Sequence, residues 1–224
     1  MRVVLKLSGE LLAGRKPPID WEVFSFFARE IAAARARAQL AVVPGGGNIL
    51  RGARTPHPAT GHLMGMLATA INGLALRRAL EEVGVRSVLF SALPIAGVAD
   101  PVDHWAATAA LERGEVVILV GGTGLPFVTT DTAAVLRALA LGAELVLKGS
   151  KVDGVYTADP KVDPKAELIP SLSHREYLER GLGVMDPAAV EIAGENGLPI
   201  VVFRADLPGA IEAAIAGRIG SRIG

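Results

Sequence analysis

The residues of this chain best suited to chemistry gather where short apolar runs break into glycine. Leu40-Ala-Val-Val43 stops at Pro44 and is followed by Gly45-Gly-Gly-Asn-Ile-Leu-Arg-Gly52. Glycine has no Cβ, so its amides can approach a ligand closely, and consecutive amides form a concavity that suits an anion. Asn48 and Arg51 follow within reach, and a guanidinium offers the planar fork that matches phosphate oxygens. A tight turn between a strand and a helix explains the same residues, and glycine motifs alone do not separate the two readings. Three further corners resemble the first. Lys6-Leu-Ser-Gly-Glu10 adds an ammonium group. Gly121-Gly-Thr-Gly-Leu-Pro-Phe-Val-Thr-Thr-Asp131 puts Thr129, Thr130 and Asp131 at the start of a helical pattern. There, exposed amides and the helix dipole favour an anion, or the residues simply cap the helix. The fourth corner is Gly149-Ser-Lys-Val-Asp-Gly-Val-Tyr-Thr-Ala-Asp-Pro160.

The elements that must position these corners alternate between strand and helix. Val3–Leu7 is β-branched and apolar and reads as a strand. Asp20 offers an N-cap to a helix over Trp21–Ala38, with Val23, Phe27, Ile31 and Ala34 at helical spacing. Further strands are expected at Leu40–Val43, Ser87–Leu93, Glu115–Val120, Ala143–Lys148 and Pro199–Phe203. Helices are expected at His62–Glu82, from Asp103 to Arg113, at Thr132–Leu141, from Asp186 to Asn196 and at Pro208–Ala216, and Ser173-His-Arg-Glu176 forms a capping box. Ala13–Pro18, Ala53–Gly61 and Lys161–Glu167 read as loops. Trp21 and Trp105 read as core packing. The β-α-β order predicts a parallel sheet with helices on both faces, and ligands of such sheets bind beyond the carboxyl ends of the strands. The helix over 62–82 is apolar nearly all round, which points to burial on several sides, within the domain and against another subunit.

Composition narrows the classes. The chain has 224 residues, of which 50% are hydrophobic and 21% charged, as in a folded globular protein. Lys plus Arg and Asp plus Glu balance at 23 each, so no basic surface for nucleic acid is expected. The absence of cysteine excludes disulfides, thiolate metal sites and thiol nucleophiles. His57, His104 and His174 lack metal-ligand spacing. No apolar stretch approaches the roughly 20 residues of a membrane span, and the N-terminus lacks the pattern of a signal peptide, so a cytoplasmic protein is expected.

The corners together supply Lys6, Lys151 and Arg51, the hydroxyls of Ser8, Thr123, Thr129, Thr130 and Ser150, and the carboxylates of Asp131, Asp153, Asp159 and Asp186. That set suits phosphoryl transfer, where catalysis is mostly positioning and charge neutralisation. Neither the P-loop pattern nor a dinucleotide-binding Gly-x-Gly-x-x-Gly after the first strand is present.

Lys6-Leu-Ser-Gly-Glu10, Gly45-Gly-Gly-Asn-Ile-Leu-Arg-Gly52, Met64-Gly-Met-Leu-Ala-Thr69, Gly122-Thr-Gly-Leu-Pro-Phe-Val-Thr-Thr-Asp-Thr-Ala-Ala134, Lys151-Val-Asp-Gly-Val-Tyr-Thr-Ala-Asp-Pro160 and Val184-Met-Asp186 resemble, in order, the motifs of the bacterial uridylate (UMP) kinases of the amino acid kinase superfamily. The resemblance implies a three-layer α/β/α sandwich around a mainly parallel sheet. It would be one domain over 1–224, with an acceptor-binding lobe over about 1–120 and a nucleotide-binding lobe over about 121–224. It implies transfer of the ATP γ-phosphoryl group to UMP, with Mg2+ arriving on ATP rather than on protein ligands, and a homohexamer built as a trimer of dimers. Carried over residue by residue, Lys6, Leu7, Ser8, Gly9, Gly47, Arg51, Ser150, Tyr156 and Asp159 would bind ATP. Gly46, His62, Thr123, Gly124, Leu125, Pro126, Phe127, Val128, Thr129, Thr130 and Asp131 would bind UMP. Lys6, Arg51 and Asp186 would be catalytic, with Asp186 orienting Lys6.

The chain departs from the family in places. Two positions before Met64, where the family has an acid that contacts the nucleoside, stands His62. The loop from Arg51 to His62 is several residues short, and Ala13–Pro18 lacks the glycine-rich form linked with GTP activation. A kinase of this superfamily with another acceptor, or a storage protein on the same fold, are the alternatives these departures raise.

Overall fold

The computed structural model describes residues 1–16, 18–52, 55–160 and 162–224. Pro17, Ala53, Arg54 and Lys161, in the expected loops Ala13–Pro18, Ala53–Gly61 and Lys161–Glu167, lie outside the described residues. In chain order the strands are β1 (Arg2–Leu7), β2 (Gln39–Pro44), β3 (Ser87–Ser91), β4 (Asp100–Pro101), β5 (Val116–Val120), β6 (Leu145–Ser150), β7 (Val155–Tyr156), β8 (Leu168–Ile169), β9 (Ser171–Leu172), β10 (Ile200–Arg204) and β11 (Ser221–Ile223). The helices are α1 (Gly9–Leu12), α2 (Trp21–Ala34), α3 (Pro58–Glu82), α4 (His104–Glu112), α5 (Thr130–Ala140), α6 (His174–Glu179), α7 (Pro187–Glu195) and α8 (Ala210–Ile215).

Among the described residues the main sheet has nine strands in the order β4-β3-β5-β2-β1-β6-β10-β11-β9. Every neighbouring pair is parallel except β10 with β11. Strands from the first 120 residues form one half of the sheet and later strands the other, meeting where β1 pairs with β6. The central strands are apolar on both faces because helices cover both. Val3, Leu5 and Leu7 of β1 join a core with α2, α3 and α8. Val4 joins the opposite core, with α4, α5, α6 and α7. This is the expected three-layer α/β/α sandwich.

The local chemistry explains where elements begin. Asp20 accepts from the amide of Glu22 at 3.1 Å and from that of Arg15 at 2.7 Å, which starts α2 and folds the preceding loop back onto it. Helix α2 stops at Ala34, four residues short of the expected Ala38. Helix α3 begins at Pro58 rather than His62, with proline in its first turn, where no intrahelical N–H is needed. The expectation for the tryptophans is overturned: Trp21 is 52% exposed and Trp105 is 86% exposed. Each stands in the first turn of a helix, directly after a capping aspartate or one residue further on, and points away from the sheet. The short strands β4, β7, β8, β9 and β11 carry no pattern of their own and exist through their pairing partners.

Helix α3 has an uncommon distribution of size. Over 68–75 its buried face is built of Ala68, Thr69, Ala70, Asn72, Gly73 and Ala75, with the larger Met66, Leu76 and Leu80 buried on either side, while Leu63, Met64, Leu67, Ile71 and Leu74 are 41–49% exposed. The small residues let the helix seat closely on the sheet: a Cβ on Gly73 would lie 2.5 Å from Val120 Cγ1. Gly73→Ala therefore forces a β-branched strand residue to move, at a cost of about 1–3 kcal/mol. That exceeds the about 1 kcal/mol gained in helix propensity, so urea denaturation is expected to show a lower midpoint for the variant. An unchanged or higher midpoint would mean that the seating is looser than described.

Candidate active site

The register of β1 against β6 sets Lys6 directly beside Lys148 on the same face of the sheet. Both side chains are nearly fully buried, and Asp131 in the first turn of α5 lies between their ammonium groups. Lys6 Nζ stands 2.8 Å from Asp131 Oδ1, and Lys148 Nζ donates to both carboxylate oxygens. Burial alone would raise the Asp131 pKa. The charges of Lys6 and Lys148 outweigh it and hold the carboxyl well below the usual range. Burial, and then the neighbouring Lys6, lower the Lys148 pKa to about 7 against the pull of Asp131.

One of the sequence assignments is corrected here. Asp131, expected on the acceptor, sets its oxygens against two ammonium groups and the amide of Asp186, which donates to Oδ2 at 3.3 Å. The carboxylate that orients Lys6 is thus Asp131 and not Asp186. Asp186 caps α7 by accepting from the amide of Ala188 at 3.1 Å. It also accepts from the hydroxyls of Thr129 at 2.5 Å and Thr132 at 2.9 Å, which ties the start of α5 to the start of α7. Lys148 was missed altogether. A lysine ending an apolar strand has no local signature, and only the pairing of β1 with β6 makes it Lys6's neighbour.

The glycine corners meet beside this cluster. A Cβ on Gly9 would lie 2.2 Å from the amide nitrogen of Gly47, and one on Gly45 would lie 2.7 Å from that of Gly9. The two turns pack backbone to backbone, closer than any side chain allows. With α3, the 150–160 segment and the turn before α7 they enclose a cleft of about 960 Å³. Of the expected ATP residues, Ser8, Gly9, Gly47, Arg51, Ser150, Tyr156 and Asp159 line it. Of the expected UMP residues, Gly46, His62, Val128, Thr129 and Thr130 line it, and Lys148 does so as well. The Arg51 guanidinium reaches across the mouth to the Glu10 carboxylate. Tyr156 Oη donates to Asp153 at 3.1 Å.

Other expected site residues fall outside the cleft wall. The Leu7 side chain points into the α2–α3 core, so this residue offers only its backbone. Thr123, Gly124, Leu125, Pro126 and Phe127 form an outlying loop on which Leu125 and Phe127 are mostly exposed. Phe127 has φ of 65°, the one positive value on a non-glycine among the described residues, and its ring centroid lies 5.0 Å from that of His62. Among the described residues no group of three or more His, Cys, Asp or Glu could hold a metal ion.

The lysine pair makes Asp131 necessary to the fold as well as to the site. Its contribution to stability is full above the ordinary carboxylate range and is lost as pH falls below about 5 toward the lower value of the folded protein. Asp131→Asn leaves two buried ammonium groups without a counter-charge, an expected loss of about 3–5 kcal/mol at neutral pH. Urea titrations should also show a flatter acid limb for the variant. Parental stability in the variant would mean that the carboxylate does not hold the pair.

The model of the amino acid kinase family matches residues 1–204. The uridylate kinase of Brucella anthropi is 47% identical over 223 residues, 97% of this chain and 93% of that protein. That of Mycolicibacterium vanbaalenii is 45% identical over 228 residues, 99% of this chain and 91% of that one. The crystal structure of UMP kinase from Ureaplasma parvum superposes with a TM-score of 0.93 at 33% identity, covering 100% of this chain and 98% of the other. With a family model matched over residues 1–204, relatives 45–47% identical along nearly the whole chain and a solved structure that superposes over all of it, this chain belongs to the amino acid kinase family, among the relatives of the bacterial uridylate kinases.

Proposed function

We propose that the chain is an ATP-dependent UMP kinase that converts UMP and ATP to UDP and ADP. The observation that carries this reading is the Lys6–Asp131–Lys148 cluster at the foot of two touching glycine turns. Uridylate kinase relatives that match nearly the full chain support it. An oxygen of the UMP phosphate attacks the γ-phosphorus of ATP. A new P–O bond forms as the bond to the β–γ bridging oxygen breaks, and that electron pair leaves with ADP. A monophosphate ester has its second pKa near 6, so the acceptor arrives doubly ionised at neutral pH and no base is needed. The charge of the transferring group spreads over its equatorial oxygens. Lys6 and Lys148 meet it with ammonium groups already fixed by Asp131, so little reorganisation is needed in the transition state.

The turns at Ser8–Gly9 and Gly47 would take the ATP β- and γ-phosphates on their amides, Gly46 would lie on the UMP side where the two nucleotides' phosphates meet, and Ser150, Tyr156 and Asp159 would lie toward the adenosine. The 121–130 loop and His62 would hold UMP, with Phe127 over its outer edge. Arg51 would exchange Glu10 for phosphate when the nucleotides enter. Magnesium would come with ATP and supply charge neutralisation to its phosphates. Asp186, whose Oδ2 accepts two hydroxyls and whose Oδ1 accepts a backbone amide rather than a cation, is the side chain that would help to hold it. The exposed apolar residues Leu63, Met64, Leu67, Ile71 and Leu74 follow one another over three turns of α3, and clustered apolar exposure marks interaction surfaces. It fits a second copy of this chain and, through that dimer, the homohexamer.

ADP release should be fast with UMP, slower with CMP and dUMP, and near background without an acceptor; equal rates throughout would remove the UMP assignment. Lys6→Ala should lower kcat by about 10²–10³ with the fold retained by circular dichroism. Full turnover in that variant would defeat its proposed part. Leu67→Glu with Ile71→Glu should lower the mass measured by sedimentation, and an unchanged assembly would place the subunit contact elsewhere.

A further inference from the structure

Helix α3 touches both nucleotide turns, through two fully buried polar side chains that no step above uses. Asn72 Nδ2 donates to the Gly45 carbonyl at 2.7 Å and to Asn48 Oδ1 at 2.7 Å. Asn48 Nδ2 returns a bond to Asn72 Oδ1 at 3.0 Å and reaches the Pro18 carbonyl at 3.1 Å. A carbonyl only accepts, so the contact with Gly45 fixes which end of the Asn72 amide is nitrogen. Three residues earlier, on the same helix face, Thr69 Oγ1 accepts from the amide of Gly121 at 2.8 Å and donates to the Met66 carbonyl at 2.6 Å. Gly45 opens the turn assigned to the ATP phosphates, and Gly121 opens the loop assigned to UMP.

We infer that Thr69 and Asn72 are positioning residues for the transfer: from one rigid helix face they set the separation of the donor and acceptor turns. Peptide planarity gives the mechanism. With the Gly45 carbonyl held against the helix, the Gly46 N–H of the same peptide is turned away from it. With the Gly121 amide held by Thr69, the chain leaves β5 through a fixed left-handed turn, φ 76°. The backbone can follow this geometry because it lies almost on the helix: a Cβ on Gly46 would be 2.6 Å from the Gly65 carbonyl oxygen. Hydrogen-bonded anchors of this kind matter because transfer is sensitive to displacements on the order of 1 Å.

This inference rests on the UMP kinase reading, and steady-state kinetics with ATP and UMP test the two separately. Asn72→Ala should raise KM for ATP by about 10-fold and lower kcat, with a smaller rise in KM for UMP because Gly46 shares that turn; Thr69→Val should show the converse selectivity. Thr69→Ser, which keeps the acceptor, should restore the parental constants. Should Asn72→Ala fail to fold, the half-exposed Asn48→Ala should give the same ATP-selective change at smaller size. Equal effects on both KM values, or no loss of kcat in either variant, would overturn the inference while leaving the kinase reading intact. A parent protein with no UMP-dependent ADP release would overturn both.

Discussion

Two ammonium groups held by one carboxylate in a dry part of the sheet are the constraint around which this molecule is arranged. Removing a lysine charge from water costs several kcal/mol unless a partner repays it, and here two are removed side by side. Their mutual repulsion is tolerable because α5 delivers Asp131 between them and the amide of Asp186 supports the same carboxylate. Burial and the neighbouring Lys6 still depress the Lys148 pKa, and the pair projects its field toward the cleft that Lys148 lines.

The second constraint is steric. The turns that face the cleft carry no side chains at their points of contact, so Gly9, Gly45 and Gly47 approach at backbone distance. The same economy continues behind them in the 68–75 stretch of α3, which buries only alanine, glycine, threonine and asparagine. Large residues there would separate the phosphate-facing turns, and the bulkier Ile71 and Leu74 of this stretch lie on the outer face while Leu76 and Leu80 fill the core beyond it.

Much of this was legible in the sequence. Strands and helices followed from apolar periodicity and from caps such as Asp20, Ser173 and Asp186. The corners followed from glycine next to lysine, arginine and threonine. What escaped was non-local. Lys148 became Lys6's neighbour only through strand register, and register is also what makes Asp131 the counter-charge of both. The outward tryptophans escaped because bulk and apolarity argue for burial, whereas their place in the first turns of α2 and α4 turned them to solvent. The partners of Asn72 and Thr69 escaped because a polar residue on an apolar helix names no partner until the fold supplies one.

One helix thus carries the apolar stripe on its outside and the anchors of both turns on its inside. If covering the stripe shifts this helix, both turns shift with it, and linkage then requires nucleotides to alter the hold on the stripe by the same factor.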